Sequence, residues 1–532
     1  MAAGLQGSPP DEVRLIASGL GADPAPQSGL TPPPHETKRF VAVGRTRAAE
    51  APDLWTDGSD GLLFLFHLHG FEALARYAAG PRSPAGDAFW EDLVVGWLDT
   101  QTRPGRPAWH PFPTSERIVA WTAALSSLDG WPASLRGRML RSLWSQARYL
   151  RRCVEYDIGG NHVLKNAKAL AFAGAVFPSS SLWDDAMDLL RKELRRQVLP
   201  DGGHEERSTA YHRMVRHDVS EIAELAGRRA AVVEPVLVDS MARMETWESA
   251  MRGPDGRLPL LNDAWEGPAV RRDEDPALTV LADSGYVVFR DGDDQAIFDA
   301  GPLSPPHLPP HAHADALSFV FWADGQPMVV DPGSYDYTGP ERIRFRSTAM
   351  HNTVEVDGED QCVLWGDFRA GFLPRVRLGP VERQSGAVVV AGAHDGYRRL
   401  GAAGVEHHRA FVWCPGDGVV VVDRLRAREQ HRVRSALHLA PGWRATGWSA
   451  RTLGGPGPAR EEPYTYSPYL GAGVPAVRLS HVRTAVPDTP FGWSVLRDGV
   501  TVTTLGADHV VVAREGRPDT RIDLPWLAAG SG

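Results

Sequence analysis

From about residue 60 to residue 270, apolar side chains recur at spacings of three and four. In SLWDDAMDLLRKELRRQVL, residues Leu182, Ala186, Leu189, Leu190 and Leu194 form one stripe, as on a half-buried helix. DAFWEDLVVGWLDTQ, SLRGRMLRSLWSQARYL, NHVLKNAKALAFAGAVF and EPVLVDSMARMETWESAM repeat the pattern, punctuated by Pro and Gly. Helix pairs repeated in this way must bury their stripes against each other, which predicts a curved stack or closed ring of helix hairpins. Near Asp283 the period changes to two. SGYVVFRDGDDQAIFDAGPL, SFVFWADGQPMVVDPG, GAVVVAGAHDGY, RAFVWCPGDGVVVVDRL and HRVRSALHLAPGW are short β-branched runs joined by turns such as DGDD, ADGQ and PGDG. They predict a sandwich of stacked antiparallel sheets. The expected organisation is thus α+β in two domains, helical over 38–280 and all-β over 281–532, with the seam a natural place for a cleft. Residues 1 to about 37, rich in Pro, Gly and Ser, are expected to be poorly ordered. GGPGPAREEP (454–463) reads as a surface loop, and the tail beyond about Pro525 carries little pattern.

Composition narrows the function classes. The 532 residues carry a formal net charge of −9, which argues against a protein that coats nucleic acid or anionic membranes through bulk charge. A local basic cleft could still take an anionic substrate. Cys153, Cys362 and Cys414 are far apart and form no CxxC pair, so neither a disulfide framework nor a thiolate zinc site is indicated. No basic segment followed by an apolar run opens the chain, and no run of about 18 apolar residues occurs, so no export signal or membrane span is read. By sequence the protein is therefore expected in the cytoplasm. Self-association into a homo-oligomer is left open.

Four polar clusters could carry chemistry. In GGNHVLKNAKALAFAG, Asn161 and His162 precede an apolar helix, and the bland reading of Asn161 is a helix N-cap. In PDGGHEERSTAYHRMVRHD, a turn is expected to lead into a helix whose first turns hold His204, Glu205, Glu206, Arg207, Tyr211 and His212. Its bland reading is a solvated face with acids at a helix N-terminus. In the Pro-rich entry to a strand, His311 and His313 stand two apart, which on an extended segment puts them on one side, with Asp315 and Asp331 following. In ERIRFRSTAMHNTVEVDGEDQ, Arg342, Arg344 and Arg346 would line one face of an extended segment, suited to gripping carboxylate or sulfate, ahead of His351 and Asn352. His313, Asp331 and His351 together make a His/Asp/His set for Zn²⁺ with no thiolate required.

At these clusters the chain resembles the heparinase II/III family of polysaccharide lyases. The matching strings are GNHVLKNAKAL, DGGHEERSTAYH, HAHADALSF, VVDPGSY and RSTAMHNTVEVDG, with weaker likeness in LFLFHLHGF and WHPFPTSERIVAW, and later in GDGVVVVDRL and SALHLAPG. The resemblance implies an incomplete (α/α) toroid followed by a β-sandwich, and β-elimination at a uronate residue of an acidic polysaccharide such as a glycosaminoglycan, alginate or exopolysaccharide. It implies Asn161 as neutraliser of the uronate carboxylate, with Tyr211 and His311 as the acid and base, Tyr211 being the favoured acid. It places His313, Asp331 and His351 at metal-ligand positions, where one Zn²⁺ organises the site, and gives His162, His204, Arg207 and Arg346 supporting or substrate-binding parts. No organic cofactor is implied. The family often exports its members, which would put this protein in the cell envelope or outside the cell. Lys165 stands where relatives commonly carry an acidic residue.

Two other functions compete. A glycoside hydrolase on a helical toroid would pair Glu205 or Glu206 with Asp315. A non-catalytic polysaccharide-binding or biosynthesis-associated protein would not need Asn161, Tyr211 and His311 together.

Overall fold

A computed structural model describes residues 8–528 apart from 23–32, 52, 102–103, 106, 231, 273–275, 401–403, 445 and 456. The chain divides into two compact units. The first comprises Met1–Gly202 and Tyr211–Glu245; the second comprises Gly203–Ala210 and Thr246–Gly532. Helices fill the first and antiparallel sheets dominate the second, in the order that the change of period predicts. The division returns the short segment 203–210 to the β unit and places the helical end 246–251 with it.

In the first unit, each long apolar stripe becomes a helix: Pro84–Thr100, Pro111–Ser127, Ala133–Leu150, Gly160–Val176 and Leu182–Gln197, with Thr209–Arg228 and Pro235–Met251 completing the series. Leu182, Ala186, Leu189, Leu190 and Leu194 are all buried, as their spacing requires. Gly174 permits the close approach of Gly160–Val176 to the next helix, because a Cβ there would lie 2.5 Å from the Trp183 backbone nitrogen. Edge-to-face contacts of Trp121 with Trp97 (centroids 5.2 Å) and Phe71 (5.6 Å) fill the core. The lead-in expected to be poorly ordered differs where it is described. Ala17 and Leu20 are buried, the Arg14 amide donates to Val176 (2.9 Å), and the Ala17 amide donates to Ser126 (3.1 Å). Two apolar side chains and two hydrogen bonds thus anchor a segment whose composition alone suggests disorder. Residues 1–7 and 23–32 of that lead-in lie outside the described residues. No helix among the described residues is long and apolar enough to cross a membrane.

In the second unit, a five-stranded meander runs from Leu278–Leu281 to Gln326–Val329. Its Phe289 and Phe298 stack on Phe411 of a six-stranded sheet, with centroids 5.3 and 5.2 Å apart. The other face of that six-stranded sheet is covered by a three-stranded one through Val510, Val512 and Ile522. Its strands are therefore buried on both faces, which explains why GVVVVDRL is continuously apolar rather than alternating. Val419 and Val421 join one core while Val420 and Val422 join the other. A four-stranded sheet holds Val354–Val356, His431–His438, Arg460–Tyr469 and Ala472–Ala485. The loop expected over 454–463 therefore ends early: its last four residues enter the Arg460–Tyr469 strand and pair with Ala472–Ala485.

A buried ionic group ties the six-stranded sheet to the loops that carry the site. Asp423 accepts from Arg409 Nε (2.7 Å) and Nη2 (3.1 Å) and pairs with His407 Nε2 (2.7 Å). Burial alone would raise the Asp423 pKa, but Arg409 and His407 hold it down at about 2. Arg409 Nη1 reaches on to the carbonyls of Leu317 and Asn352, both at 2.6 Å. Arg409→Met should therefore cost about 3–5 kcal/mol by stranding a buried carboxylate. The check is the chemical-denaturation midpoint, and Arg409→Met combined with Asp423→Leu should recover part of the loss. An unchanged midpoint in the single variant would refute the assignment.

Candidate active site

Asp263 is the hub of the second unit's polar cluster. Its carboxylate is completely buried and accepts from His311 Nδ1 (2.7 Å), His313 Nε2 (3.0 Å), Ser334 Oγ (3.1 Å) and both terminal nitrogens of Arg342, one at 2.7 Å. Burial would raise its pKa, but the Arg342 guanidinium and the imidazole hydrogen bonds hold it well below the usual carboxylate range. The neighbouring Asn262, in a left-handed conformation (φ 58°), accepts from the His313 amide at 2.9 Å. His311 and His313 thus share one partner, although His311 lies in a turn and not on the extended segment expected. The sequence reading missed Asp263 and Asn262. The available signal was a polar pair inside the apolar run LPLLNDAW.

An ionised Asp263 can only accept, so His313 carries its proton on Nε2 and presents the lone pair of Nδ1. Burial lowers the His313 pKa to about 4 and keeps the ring neutral. Its Nδ1 is buried and has no hydrogen-bond partner. The same holds for His351 Nε2, while His351 Nδ1 pairs with Asp331 Oδ2 at 2.7 Å. His313, Asp331 and His351 are all buried, and each offers a ligand atom within 4.8 Å of the other two. Two orphaned imidazole nitrogens beside a carboxylate make a donor set that fits a metal ion. Further buried carboxyl groups lie beside this set, and burial resists their ionisation. Burial, with the charge of Asp331, pushes Asp315 up to about 7, and burial beside Asp315 pushes Asp299 well above its ordinary value.

The fourth cluster differs from the extended strand expected. Gly339–Arg346 is a helix, so Arg342 and Arg346, four apart, share a face, while Arg344 turns away to pair with Glu341. Arg346 is fully buried. Its guanidinium donates to the carbonyls of Ala312 (2.8 Å) and Asp367 (3.1 Å), and burial lowers its pKa to about 10. It clasps the loop bearing His311 and is not available to a substrate. The second cluster also differs. The helix starts only at Thr209, so His204, Glu205, Glu206 and Arg207 lie in a buried irregular segment and not on a solvated helical face. His204 Nδ1 accepts from the Glu206 amide at 3.4 Å, and Glu206 Oε2 lies 3.3 Å from His311 Nε2. Arg207, at φ 62°, directs its terminal nitrogens to the carbonyls of Asp283 (3.1 Å) and Ser284. His204 and Arg207 therefore shape the segment beside His311. Asp315, the hydrolase reading's second carboxylate, has Asp331, Asp299 and His351 as its electrostatic neighbours.

In the first unit, the N-cap of the Gly160–Val176 helix is Gly159. Asn161 is the second helical residue and is buried, so the capping explanation for it fails. His162 is partly exposed, and its Nδ1 lies 3.2 Å from Oε1 of the buried Glu155, whose Oε2 accepts from Asn166 at 3.0 Å. Glu155 is a third residue that sequence reasoning missed. Tyr211 is buried in the first turn of Thr209–Arg228, and the adjacent His212 ring is tied to the Met244 carbonyl (3.1 Å). Lys165 pairs with Asp218 (3.0 Å) and Glu116 (3.4 Å).

Comparison with known proteins places this architecture. The sequence pattern described as Heparinase II/III N-terminus matches residues 94–284, and that described as Heparinase II/III-like, C-terminal, matches residues 273–470. A heparin-sulfate lyase of Bacteroides stercoris is 26% identical over 300 residues, covering 48% of this chain and 44% of that protein. FtsZ-localized protein C of Caulobacter vibrioides is 26% identical over 383 residues, covering 67% of this chain and 64% of that one. This chain therefore spans between about two fifths and two thirds of the length of these relatives. A crystal structure of heparinase III superposes with a TM-score of 0.70 at 17% identity, over 86% of this chain and 82% of that one, and so shares its toroid-plus-sandwich fold. Both halves of the family's pattern lie in order along one chain, and this protein belongs to the heparinase II/III family.

Proposed function

We propose that this protein is a polysaccharide lyase that cleaves a uronate-containing acidic polysaccharide by β-elimination. The observation that carries the reading is the His311–Asp263 pair. A buried carboxylate accepts from Nδ1, so Nε2, which faces Glu206 Oε2 at 3.3 Å, is the ring atom through which a proton would pass. The likeness to a heparin-sulfate lyase supports a glycosaminoglycan-like substrate. Taking the C5 proton next to a carboxylate builds charge beside an existing charge. That carboxylate must therefore be neutralised by a preorganised donor, the part given to Asn161. Tyr211 and His311 divide the remaining work between removing the C5 proton and protonating the departing O4. Tyr211 is the favoured acid, because a neutral phenol can donate at physiological pH. His162, held by Glu155, is the proposed substrate contact. His313, Asp331 and His351 would hold one Zn²⁺, whose charge would offset the surrounding carboxylates and order the loop that carries His311.

A second reading has one observation in its favour. FtsZ-localized protein C matches over 67% of this chain, as a heparin-sulfate lyase of Bacteroides thetaiotaomicron does over 66%. A non-catalytic role, such as one alongside FtsZ, predicts no turnover on any uronate polymer. Incubating the protein with heparan sulfate, hyaluronan, chondroitin and alginate, and following the absorbance of the unsaturated uronate, separates the two. A hydrolase would release reducing ends without that absorbance.

Tyr211→Phe keeps the ring and removes the hydroxyl, so turnover should fall by roughly 10² or more with the fold intact. Near-normal turnover would remove Tyr211 from the chemistry. Asn161→Ala should lower kcat and kcat/KM together by about 10²–10³, with little change in KM. Asn161→Asp should be stable, since an acid near a helix N-terminus is favourable, yet inactive through repulsion of the substrate carboxylate. An active Asp variant would exclude the neutralising role.

The metal assignment is checked by elemental analysis, which should find one Zn²⁺ per chain. His351→Ala should lose it and melt at a lower temperature. Metal-free wild type, or metal content insensitive to substitution of all three ligands, would overturn the site.

A further inference from the structure

The hairpin formed by Val363–Trp365 and Arg369–Gly371 combines features that the proposed reaction does not use. Its residues alternate. Leu364 and Ala370 face inward and pack on a cluster containing Ala312 and Ala314, the residues interleaved with His311 and His313. Its outer positions are aromatic and exposed: Trp365 is 50% exposed, Phe368 46% and Phe372 76%. Phe372 also holds a left-handed conformation (φ 50°), which a bulky side chain rarely adopts. Rings this exposed on a short two-stranded hairpin are a cost to solubility, and their clustering marks a binding surface.

Two features identify the ligand's chemistry. The Arg369 guanidinium lies over the Trp365 ring at 4.6 Å, so an apolar platform and a fixed positive charge share one edge. A pyranose ring with an equatorial carboxylate or sulfate offers the matching pair, an apolar C–H face bordered by an anion. The hairpin is also continuous with the proposed catalytic histidine. His311 stands edge-on to Tyr337 (centroids 6.4 Å), and Tyr337 packs against Phe368 (6.2 Å). The turn is fixed to the same frame, since the Asp367 carbonyl accepts from Arg342 Nε (2.9 Å) and Arg346 Nη1 (3.1 Å). Arg342 is the guanidinium that neutralises Asp263.

We propose that the 363–372 hairpin is a saccharide-binding platform for anionic sugar units of the polymer beyond the residue that reacts at His311. Trp365 and Phe372 stack on pyranose faces, and Arg369 pairs with a carboxylate or sulfate. The inference rests on the lyase reading for its substrate class but not for its test. The patch is a few side chains, well below the roughly 1,000 Å² that a stable protein partner needs, which favours a glycan over a second copy of the chain.

The test uses affinity electrophoresis in gels containing heparan sulfate, hyaluronan or alginate, with dextran as the neutral control. Wild type should be retarded by at least one uronate polymer and not by dextran. Trp365→Ala with Arg369→Met should lose that retardation, and Phe372→Ser alone should weaken it. Thermal midpoints should be unchanged, because all three side chains are exposed. On a cleaved polymer, the double variant should raise KM roughly tenfold with kcat nearly intact, and leave the shortest cleavable oligosaccharide unaffected. Retardation lost in the variant without any cleavage would leave the platform standing and remove the lyase reading. Cleavage with KM and retardation unchanged in the variant would do the reverse. A wild-type protein retarded by none of the polymers, or a dimer that the substitutions dissolve, would overturn the proposal.

Discussion

The second unit's chemistry depends on keeping one carboxylate ionised where water cannot reach it. Asp263 contributes no proton transfer and no metal bond in the arrangement described, yet it fixes both imidazoles that would. Its partners lie 48, 50 and 79 residues away in sequence, at His311, His313 and Arg342. Desolvation works against the charge, and Arg342 with the imidazole hydrogen bonds outweighs it. Because an ionised carboxylate only accepts, the two histidines donate to it from opposite ring nitrogens. His311 donates from Nδ1 and turns Nε2 toward Glu206 Oε2; His313 donates from Nε2 and offers Nδ1. One anion thereby orients both the ring proposed for proton exchange and the ring that would hold a metal.

The environment of His313 and His351 carries more buried acid than base. Asp299, Asp315 and Asp331 are mutually repelling, and burial, together with this proximity, raises the first two above ordinary carboxylate values. Such a group is costly as a set of bare anions and becomes favourable when a cation enters. The helical unit manages its buried charge differently, by pairing. Lys168 bridges to Asp218 (2.6 Å) and to Glu221, while Lys165 shares Asp218, and these pairs join the Gly160–Val176 and Thr209–Arg228 helices that bear Asn161 and Tyr211. Paired charges make that frame rigid without favouring a metal.

Some of the site was legible in the chain. His313 with the later Asp331 and His351 could be read as a ligand set, because ligand-type side chains are visible in the chain itself. Other parts were misread for equally local reasons. ERIRFR alternates polar and apolar residues as a strand does, but the preceding Pro340 starts a helix, and Arg342 and Arg346 then reach carbonyls on one side. The string HEERS looked like a helical face because acids favour helix starts, whereas the turn at Arg207 delays the helix to Thr209. Asn161 looked like a cap because Asn is a favoured capping residue, but Gly159 takes that place.

The sequence by itself determined the order of the architecture, helices and then antiparallel sheets, because apolar periodicity is a property of neighbouring residues. It also determined the family and the residue types available for catalysis and metal binding. Tertiary structure alone decided that Asp263 is the hub, that Glu155 holds His162, that Arg346 serves the loop and that the 363–372 hairpin turns its rings outward. Those outcomes depend on which distant groups share a low-dielectric interior, where one counter-charge or one missing partner changes a side chain's protonation and availability. No local pattern encodes that sharing.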